Sequence, residues 1–307
     1  MRMGADRLRP SWASLPVELR TPILTSIGGD FVSDSPAHGG FSAGYAAVVR
    51  TTAGDAFVKA IASDSHADSR TVLRREIAVL RATMSSLAPS LVDPIDDDSG
   101  TAIVLESIDG SQPGAPWHTQ ELHAIAEGIA QLAETTAPPS VVAAEDAMMP
   151  GFTRWQRIAD EDSLWGSLPT SLRGRLPDLI ALDGEFADAV RGVTLAHGDL
   201  RADNVLISHG RVRFLDWPHA RRGAAWLDLP LLLPSIEAVG GPRCEDAWKI
   251  FRSYGAPSPA ELLPVISGFA SFLWFGQAQA AIAELPGLRS FQRAQAIPAL
   301  RWSTALL

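Results

Sequence analysis

The stretch from His197 to Asp216 constrains this chain more than any other. It reads His197-Gly198-Asp199-Leu200-Arg201-Ala202-Asp203-Asn204, followed by Val205–Ser208, the pair His209-Gly210, Val212–Leu215 and Asp216. Two short apolar runs around a His-Gly turn predict a tight hairpin. A hairpin returns the chain on itself, so Asn204 at its entry and Asp216 at its exit come together. Asp199 lies five residues before Asn204, on the entering loop. Three oxygen-bearing side chains thereby converge at one end of a rigid ribbon. Asn and Asp oxygens suit a hard cation such as Mg2+, which keeps several waters and shares ligation with substrate phosphates. A further carboxylate outside the metal's shell can orient a hydroxyl and take its proton. Phosphoryl transfer needs these parts, because it asks the protein mainly for positioning and charge stabilisation. Asp and Asn also shape turns routinely; all of them together at this spacing favour a site.

The rest of the chain narrows the setting. At 307 residues with a net charge of −9, it carries no basic footprint for binding a phosphate backbone, so nucleic acid is not an expected partner. A single cysteine, Cys244, excludes an intramolecular disulfide and a Cys-rich zinc site. The opening MRMGADRLRP lacks the apolar run of a secretory signal. The most apolar later stretch, Val265–Phe275, is too short for a bilayer span and reads as a buried helix. A cytoplasmic protein without membrane association is the expectation; the oligomeric state stays open.

Along the chain, residues 1–25 read as a helical or irregular lead-in broken by Pro10, Pro16 and Pro22. Strand-like runs follow around a glycine-rich turn, Gly39–Gly44: Tyr45–Arg50, then Ala56–Ile61. A helix is predicted over 67–83 with an apolar stripe through Val72, Leu73, Ile77, Val79 and Leu80. Two more strands, Leu91–Ile95 and Thr101–Leu105, flank an acidic turn read as a solvated hairpin tip. Residues 108–116 form a Gly/Pro linker, beyond which the chain is mostly helical apart from the hairpin. The division is therefore a small β-rich part, 1–108, and a larger helical part, 109–307. Among 26 basic residues, all but Lys59 and Lys249 are arginine. A lysine kept in such a background marks a position where a compact point charge is needed, or else a snorkelling surface side chain.

His197-Gly-Asp-Leu-Arg-Ala-Asp-Asn204 resembles the HGDxxxxN signature of the aminoglycoside phosphotransferase and choline kinase-like family, and Leu215-Asp216-Trp217 resembles its downstream metal-binding motif. Ala225-Trp226-Leu227-Asp228-Leu229 is similar to the family's G-x-P-x-x-D-L-A segment without its proline, which implies a structural role for Asp228. The resemblance implies an α+β, two-lobed, eukaryotic protein-kinase-like fold, with a β-rich N-lobe and a mostly helical C-lobe. It implies Asp199 as the residue that orients and deprotonates a hydroxyl, with Asn204 and Asp216 holding Mg2+. Gly40 and Ser42 would cover the phosphates, and Lys59 would bind them with Glu76 in support. Glu76 follows Arg74 and Arg75, so a solvated helix face is its alternative. The backbone of Glu106 and Ile108 would meet the base of ATP or GTP, and main-chain contacts do not separate the two. His197 would order the loop rather than act as a base.

By the same resemblance the acceptor is a small hydroxyl-bearing molecule: an antibiotic first, a metabolic sugar, amino alcohol or nucleoside second. A nucleotide-binding pseudokinase is the further alternative. Two features bear on the acceptor. Nine acidic residues lie between Glu145 and Asp188, and an acidic cleft would attract a polycation; solvated helix faces are the plainer reading. Eight of nine tryptophans follow residue 115; core packing is the plainer reading for most, with Trp155 and Trp165 the candidates to stack on a sugar or nucleoside.

Overall fold

Alternation along β3 (Asp55–Ala62) decides where the only N-lobe lysine points. Ala56, Val58 and Ala60 face one way, Phe57, Lys59 and Ile61 the other, as a two-residue period dictates. The computed structural model describes residues 9–37, 44–63, 67–83, 85–282 and 285–307. In it β3 is the centre of a five-stranded antiparallel sheet with β1 (Phe31–Pro36), β2 (Tyr45–Thr51), β4 (Leu91–Asp97) and β5 (Gly100–Glu106), in the order β1-β2-β3-β5-β4. The two edge strands carry the prolines, Pro36 and Pro94, where a missing N–H costs no ladder bond and discourages further pairing.

The outer face of the sheet packs on Trp12 and on α1 (Val17–Ile27), whose Leu19 and Ile23 are fully buried. The lead-in was expected to break at Pro22; instead α1 runs through it. Proline removes one helical donor, and burial of the Leu19–Ile23 face against the sheet outweighs that loss. The inner face packs on α2 (Ala67–Ala82) through Leu73, Ile77 and Leu80. Val72, expected in that stripe, is exposed instead and lines the cleft. Glu76 takes its place in the buried row, only 2% exposed. The acidic turn is not merely a solvated tip: Asp96 holds α2 through Arg70 and Arg74 and accepts from the Thr101 hydroxyl.

After β5 the chain crosses to the helices, and Ser111 pairs with Ile207 of the hairpin on the way. The C-lobe begins with α3 (Thr119–Ala133) and α4 (Ala144–Phe152). Five short helices follow: α5 (Trp155–Asp160), α6 (Asp162–Ser167), α7 (Thr170–Arg173), α8 (Leu176–Asp183) and α9 (Phe186–Val190). Next come β6 (Thr194–Ala196), the hairpin β7 (Val205–Ser208) and β8 (Arg211–Phe214), and β9 (Arg221–Gly223), which pairs with β6. The chain closes with α10 (Asp228–Ala238), α11 (Cys244–Phe251), α12 (Pro259–Gln277) and α13 (Leu288–Leu306). At 19 residues α12 is longer than its apolar centre suggested, and long and apolar enough to cross a membrane by composition alone. Two-thirds of it is buried inside the protein, as befits a core helix. Gly128 lets α3 lie directly on the hairpin: a Cβ there would stand 2.2 Å from Val212 Cγ1.

Candidate active site

Between the lobes lies a cleft of about 620 Å³, lined by Lys59, Glu76, Glu106, Ile108, Asp199, Asn204 and Asp216 among others. The structure thus brings together every sequence-predicted site residue except Gly40 and Ser42, which fall outside the described residues.

Lys59 is the hub. Its Nζ donates to both carboxylate oxygens of Glu76, at 2.7 and 2.8 Å, and to Asp216 Oδ1 at 2.8 Å. Burial alone would push the ammonium's pKa down; Asp216 and Glu76 outweigh it, so Lys59 stays charged, above the ordinary lysine value. Burial would likewise raise Asp216, but the Lys59 ammonium holds it well below the usual carboxylate range. Asp216 sits at φ 69°, a left-handed conformation costing a non-glycine residue about 1–2 kcal/mol. The solvated-face alternative for Glu76 is excluded by its burial and by its two bonds from Lys59.

The loop from His197 to Asn204 is held from three sides. Asp228, at the start of α10, accepts from the backbone N–H of His197 at 2.7 Å and of Gly198 at 2.8 Å. His197 is fully buried, packs on Trp217 with ring centroids 4.8 Å apart and planes tilted by 58°, and its Nε2 meets the carbonyl of Leu215 at 2.8 Å. Burial lowers its pKa to about 4, so it is neutral and orders the loop rather than moving a proton. Ser235 of α10 accepts from the N–H of Ala202 at 2.9 Å. Asn204 Nδ2 donates to the carbonyl of Asp199 at 3.0 Å, and the N–H of Leu215 donates to the carbonyl of Asn204 at 2.8 Å. That last bond closes the hairpin and sets Asn204 beside Asp216.

Arg201 and Ser235 are residues that sequence reasoning missed. Arg201 pairs with the carboxylates of both Asp199 and Asp203 and is 11% exposed. Its place two residues after Asp199, inside the signature, was the available signal. Ser235 gave none, since its role comes from a helix packed on the loop. Burial raises the Asp199 pKa while Arg201 opposes that rise, leaving a carboxylate more basic than usual and suited to accept a proton.

At the other end, β2 and β3 contribute Val48 and Phe57, and the hairpin side contributes Leu206 and Leu215, to an apolar slot. The register pairs Val48 with Phe57 and Ala46 with Lys59, so the slot and the lysine share one face of the sheet. Glu106 at the edge of that slot accepts from the N–H of Ser90 at 2.9 Å and pairs with Arg213 of β8.

Mg2+ fits the residues present. Among the described residues no cluster of three His, Cys, Asp or Glu side chains could cage a metal alone. Asn204 and Asp216 supply two hard oxygen donors at the cleft, the small set expected of a cation that completes its shell with phosphates and water.

For the acidic residues and for Trp155 the plainer readings hold. None of the nine acidic residues between Glu145 and Asp188 lines the cleft; Arg157 pairs with Glu161, Arg175 with Asp178, and Arg191 with Glu145 and Asp188, on the outer helices. Trp155 is fully buried, its indole donating to Ser267 Oγ at 2.9 Å, and Trp165 is on the surface under Arg173. The cleft's aromatic rings are instead Tyr45, Phe57, Phe269, Phe272 and Phe291.

A β-sheet lobe that presents a Lys–Glu pair to an Asp-Asn-Asp loop on a helical lobe defines a protein-kinase-like phosphotransferase. Solved structures agree on the fold. Choline kinase LicA from Streptococcus pneumoniae superposes with a TM-score of 0.58 at 15% identity, over 93% of this chain and 98% of that one. Aminoglycoside phosphotransferase APH(3'')-Id from Streptomyces rimosus, in complex with ADP and streptomycin, gives 0.54 at 18% identity, over 92% and 98%. A microcompartment-associated aminopropanol kinase gives 0.60 at 17% identity, over 95% and 98%. No curated protein sequence is a significant match. The family profile described as phosphotransferase enzyme family matches residues 36–266, and the chain belongs to that family of small-molecule phosphotransferases. It is a phosphotransferase that takes a hydroxyl group as acceptor.

Proposed function

We propose that this protein moves the γ-phosphoryl group of ATP or GTP onto a hydroxyl of an antibiotic-like small molecule in the cytoplasm, and that this modification confers resistance. The observation that carries the reading is the single cleft in which Lys59, locked between Glu76 and Asp216, faces the loop of Asp199 and Asn204. The slot of Val48, Phe57, Leu206 and Leu215 would take the base, with the backbone of Glu106 and Ile108 at its edge. Lys59 would leave Asp216 for the α and β phosphates while Glu76 keeps it extended. Asn204 and Asp216 would hold Mg2+, which supplies charge neutralisation of the phosphates. Gly40 and Ser42 would close over them. Asp199, steered by Arg201, would orient the acceptor hydroxyl and take its proton. The new bond joins that oxygen to the γ phosphorus, the bond to the β–γ bridging oxygen breaks, and the nucleoside diphosphate leaves. Lys59, Asp199, Asn204 and Asp216 are all present, which argues against a pseudokinase that only binds nucleotide.

The test is mass spectrometry of reactions with Mg2+ and either ATP or GTP against a panel of antibiotics, sugars and amino alcohols. One compound should gain a single phosphate. Asp199→Ala should lose turnover by at least about a hundredfold, as expected for a positioned general base, and should still bind nucleotide in calorimetry. Comparable turnover in that variant would overturn the assignment.

A further inference from the structure

Two further charged residues of the 197–204 loop, Arg201 and Asp203, stand at positions that the HGDxxxxN signature leaves open. Both line the cleft, and both belong to one ion group with Asp199. Arg201 is extended, at φ −138° and ψ 163°, and Ala202–Asn204 then forms a single tight turn, closed by the Asn204 N–H on the Arg201 carbonyl at 2.9 Å. That turn brings Asp203 back onto the arginine two residues before it. Its carboxylate takes the side-on edge of the guanidinium: Nε donates to Oδ1 at 3.0 Å and Nη2 to Oδ2 at 3.3 Å. Arg201 meets Asp199 through its remaining nitrogen, Nη1, which donates to Oδ2.

The group is fastened from outside as well. Gln112 of the linker donates through Nε2 to the backbone carbonyl of Asp203 at 2.7 Å. Ser235 accepts from the Ala202 N–H at 2.9 Å, between the two charged residues. Phe291 of α13 lies against the guanidinium, 5.2 Å from cation to ring centroid. The plane of the arginine is therefore set by a carboxylate on its edge and a ring on its face.

A guanidinium pairs best with a carboxylate through two parallel N–H···O bonds. Asp199 and Asp203 compete for that arrangement. With Asp203 on the side-on edge, the Nη1 bond goes to Asp199 Oδ2 and leaves Oδ1 out of it, on a side chain that is 33% exposed at the cleft. Were Asp199 on that edge instead, both of its oxygens would turn to the cation and away from an acceptor hydroxyl, which a base must reach to take its proton.

We propose that Asp203 is a positioning residue for phosphoryl transfer: it occupies the side-on edge of Arg201 and so keeps Oδ1 of Asp199 open for the acceptor hydroxyl. This inference rests on the phosphotransferase reading and adds to it a residue that acts through Arg201.

The test has two arms. Crystal structures of the unaltered protein and of Asp203→Asn, both without nucleotide, show where the guanidinium lies. In the variant, Nε and Nη2 should have turned to the two oxygens of Asp199. Turnover is read as ADP release from Mg–ATP with water as the acceptor, a probe that requires no knowledge of the alcohol. Asp203→Asn should lower it by about ten- to a hundredfold, the effect of a misplaced reacting group, while Mg–ATP affinity in calorimetry is unchanged. Asp203→Glu, which keeps the carboxylate, should recover most of that loss. In an Arg201→Met background, Asp203→Asn should cost nothing further, because a residue that acts only through another has no effect once the other is gone. An arginine that keeps its unaltered geometry in Asp203→Asn overturns the inference. So does full turnover in that variant, a fall in its Mg–ATP affinity, or a further loss in the Arg201→Met background. Failure of the phosphotransferase reading is distinct: the unaltered protein would then neither bind nor hydrolyse Mg–ATP, whereas the turn of the guanidinium is read with no nucleotide present.

Discussion

Gly198, between His197 and Asp199, offers a sharp test of how the catalytic loop is held. Its φ is +76°, and a Cβ placed on it would lie 2.0 Å from the carbonyl oxygen of His219 and 3.0 Å from Cγ of Arg221. The peptide cannot swing clear, because the N–H groups of His197 and Gly198 are both bonded to Asp228 and Ala196 pairs with Arg221 in the β6–β9 ladder. Gly210, in the hairpin turn, is a natural control: its φ is +75°, and nothing lies within 4 Å of its virtual Cβ. Alanine at either position incurs the same left-handed backbone cost, about 1–2 kcal/mol, and the same small entropic gain in the unfolded chain. Only Gly198→Ala adds the collision with backbone, about 1–3 kcal/mol as for an overpacked core. With an unfolding entropy of roughly 2.1 cal/mol/K per residue, a chain of this length shifts by about 1.5 °C per kcal/mol. Gly198→Ala should therefore melt about 2–5 °C below Gly210→Ala in thermal denaturation. Turnover should fall by about a hundredfold in Gly198→Ala, since a misplacement near 1 Å of a reacting group has that effect, and should persist in Gly210→Ala. Equal melting temperatures for the two variants would refute the reasoning.

Replacing the hub, Lys59→Met, should strand Glu76 and Asp216 beside each other, lowering stability by about 3–5 kcal/mol at neutral pH and abolishing Mg–ATP binding in calorimetry. A variant that binds nucleotide normally would show that Lys59 is not the phosphate ligand. The pH dependence of stability should reflect two opposed groups. His197 titrates at about 4 in the fold against 6.5 ordinarily, so the unfolded chain binds its proton first and stability is lost as pH falls from 6.5 towards 4. Burial raises Asp228 to about 6 from 3.8, despite its two backbone donors; the folded state takes that proton first, and stability is gained over much of the same descent. Asp228→Asn removes the second effect, so urea midpoints should fall more steeply between pH 7 and pH 4.5 than in the unaltered protein. Parallel slopes would mean that the two titrations do not oppose one another.

The catalytic half of the site was readable because its parts lie close in sequence or on elements with a clear period. Asp199, Asn204 and Asp216 are tied by a hairpin whose closure follows from its length, and the bond from Leu215 N–H to the Asn204 carbonyl is what that closure looks like. Lys59 was singled out by an arginine-rich background, and strand alternation turned it inward. Glu76 was harder, since the run Arg74-Arg75-Glu76 reads as solvated until α2 is seen docked through Leu73 and Ile77. Pro22 misled because local propensity was weighed without the sheet that buries α1.

The acceptor half was not readable, and the reason is rotational. Trp155 and Phe272 are both large aromatics on C-lobe helices, yet one is buried against Ser267 and the other faces the cleft. Which face of α12 or α13 turns inward depends on how those two helices pack on each other and on α10, contacts far apart in the chain. The residues of the phosphoryl-transfer reading were therefore written in short-range spacing, whereas the side chains of α12 and α13 that line the cleft are set by long-range helix packing.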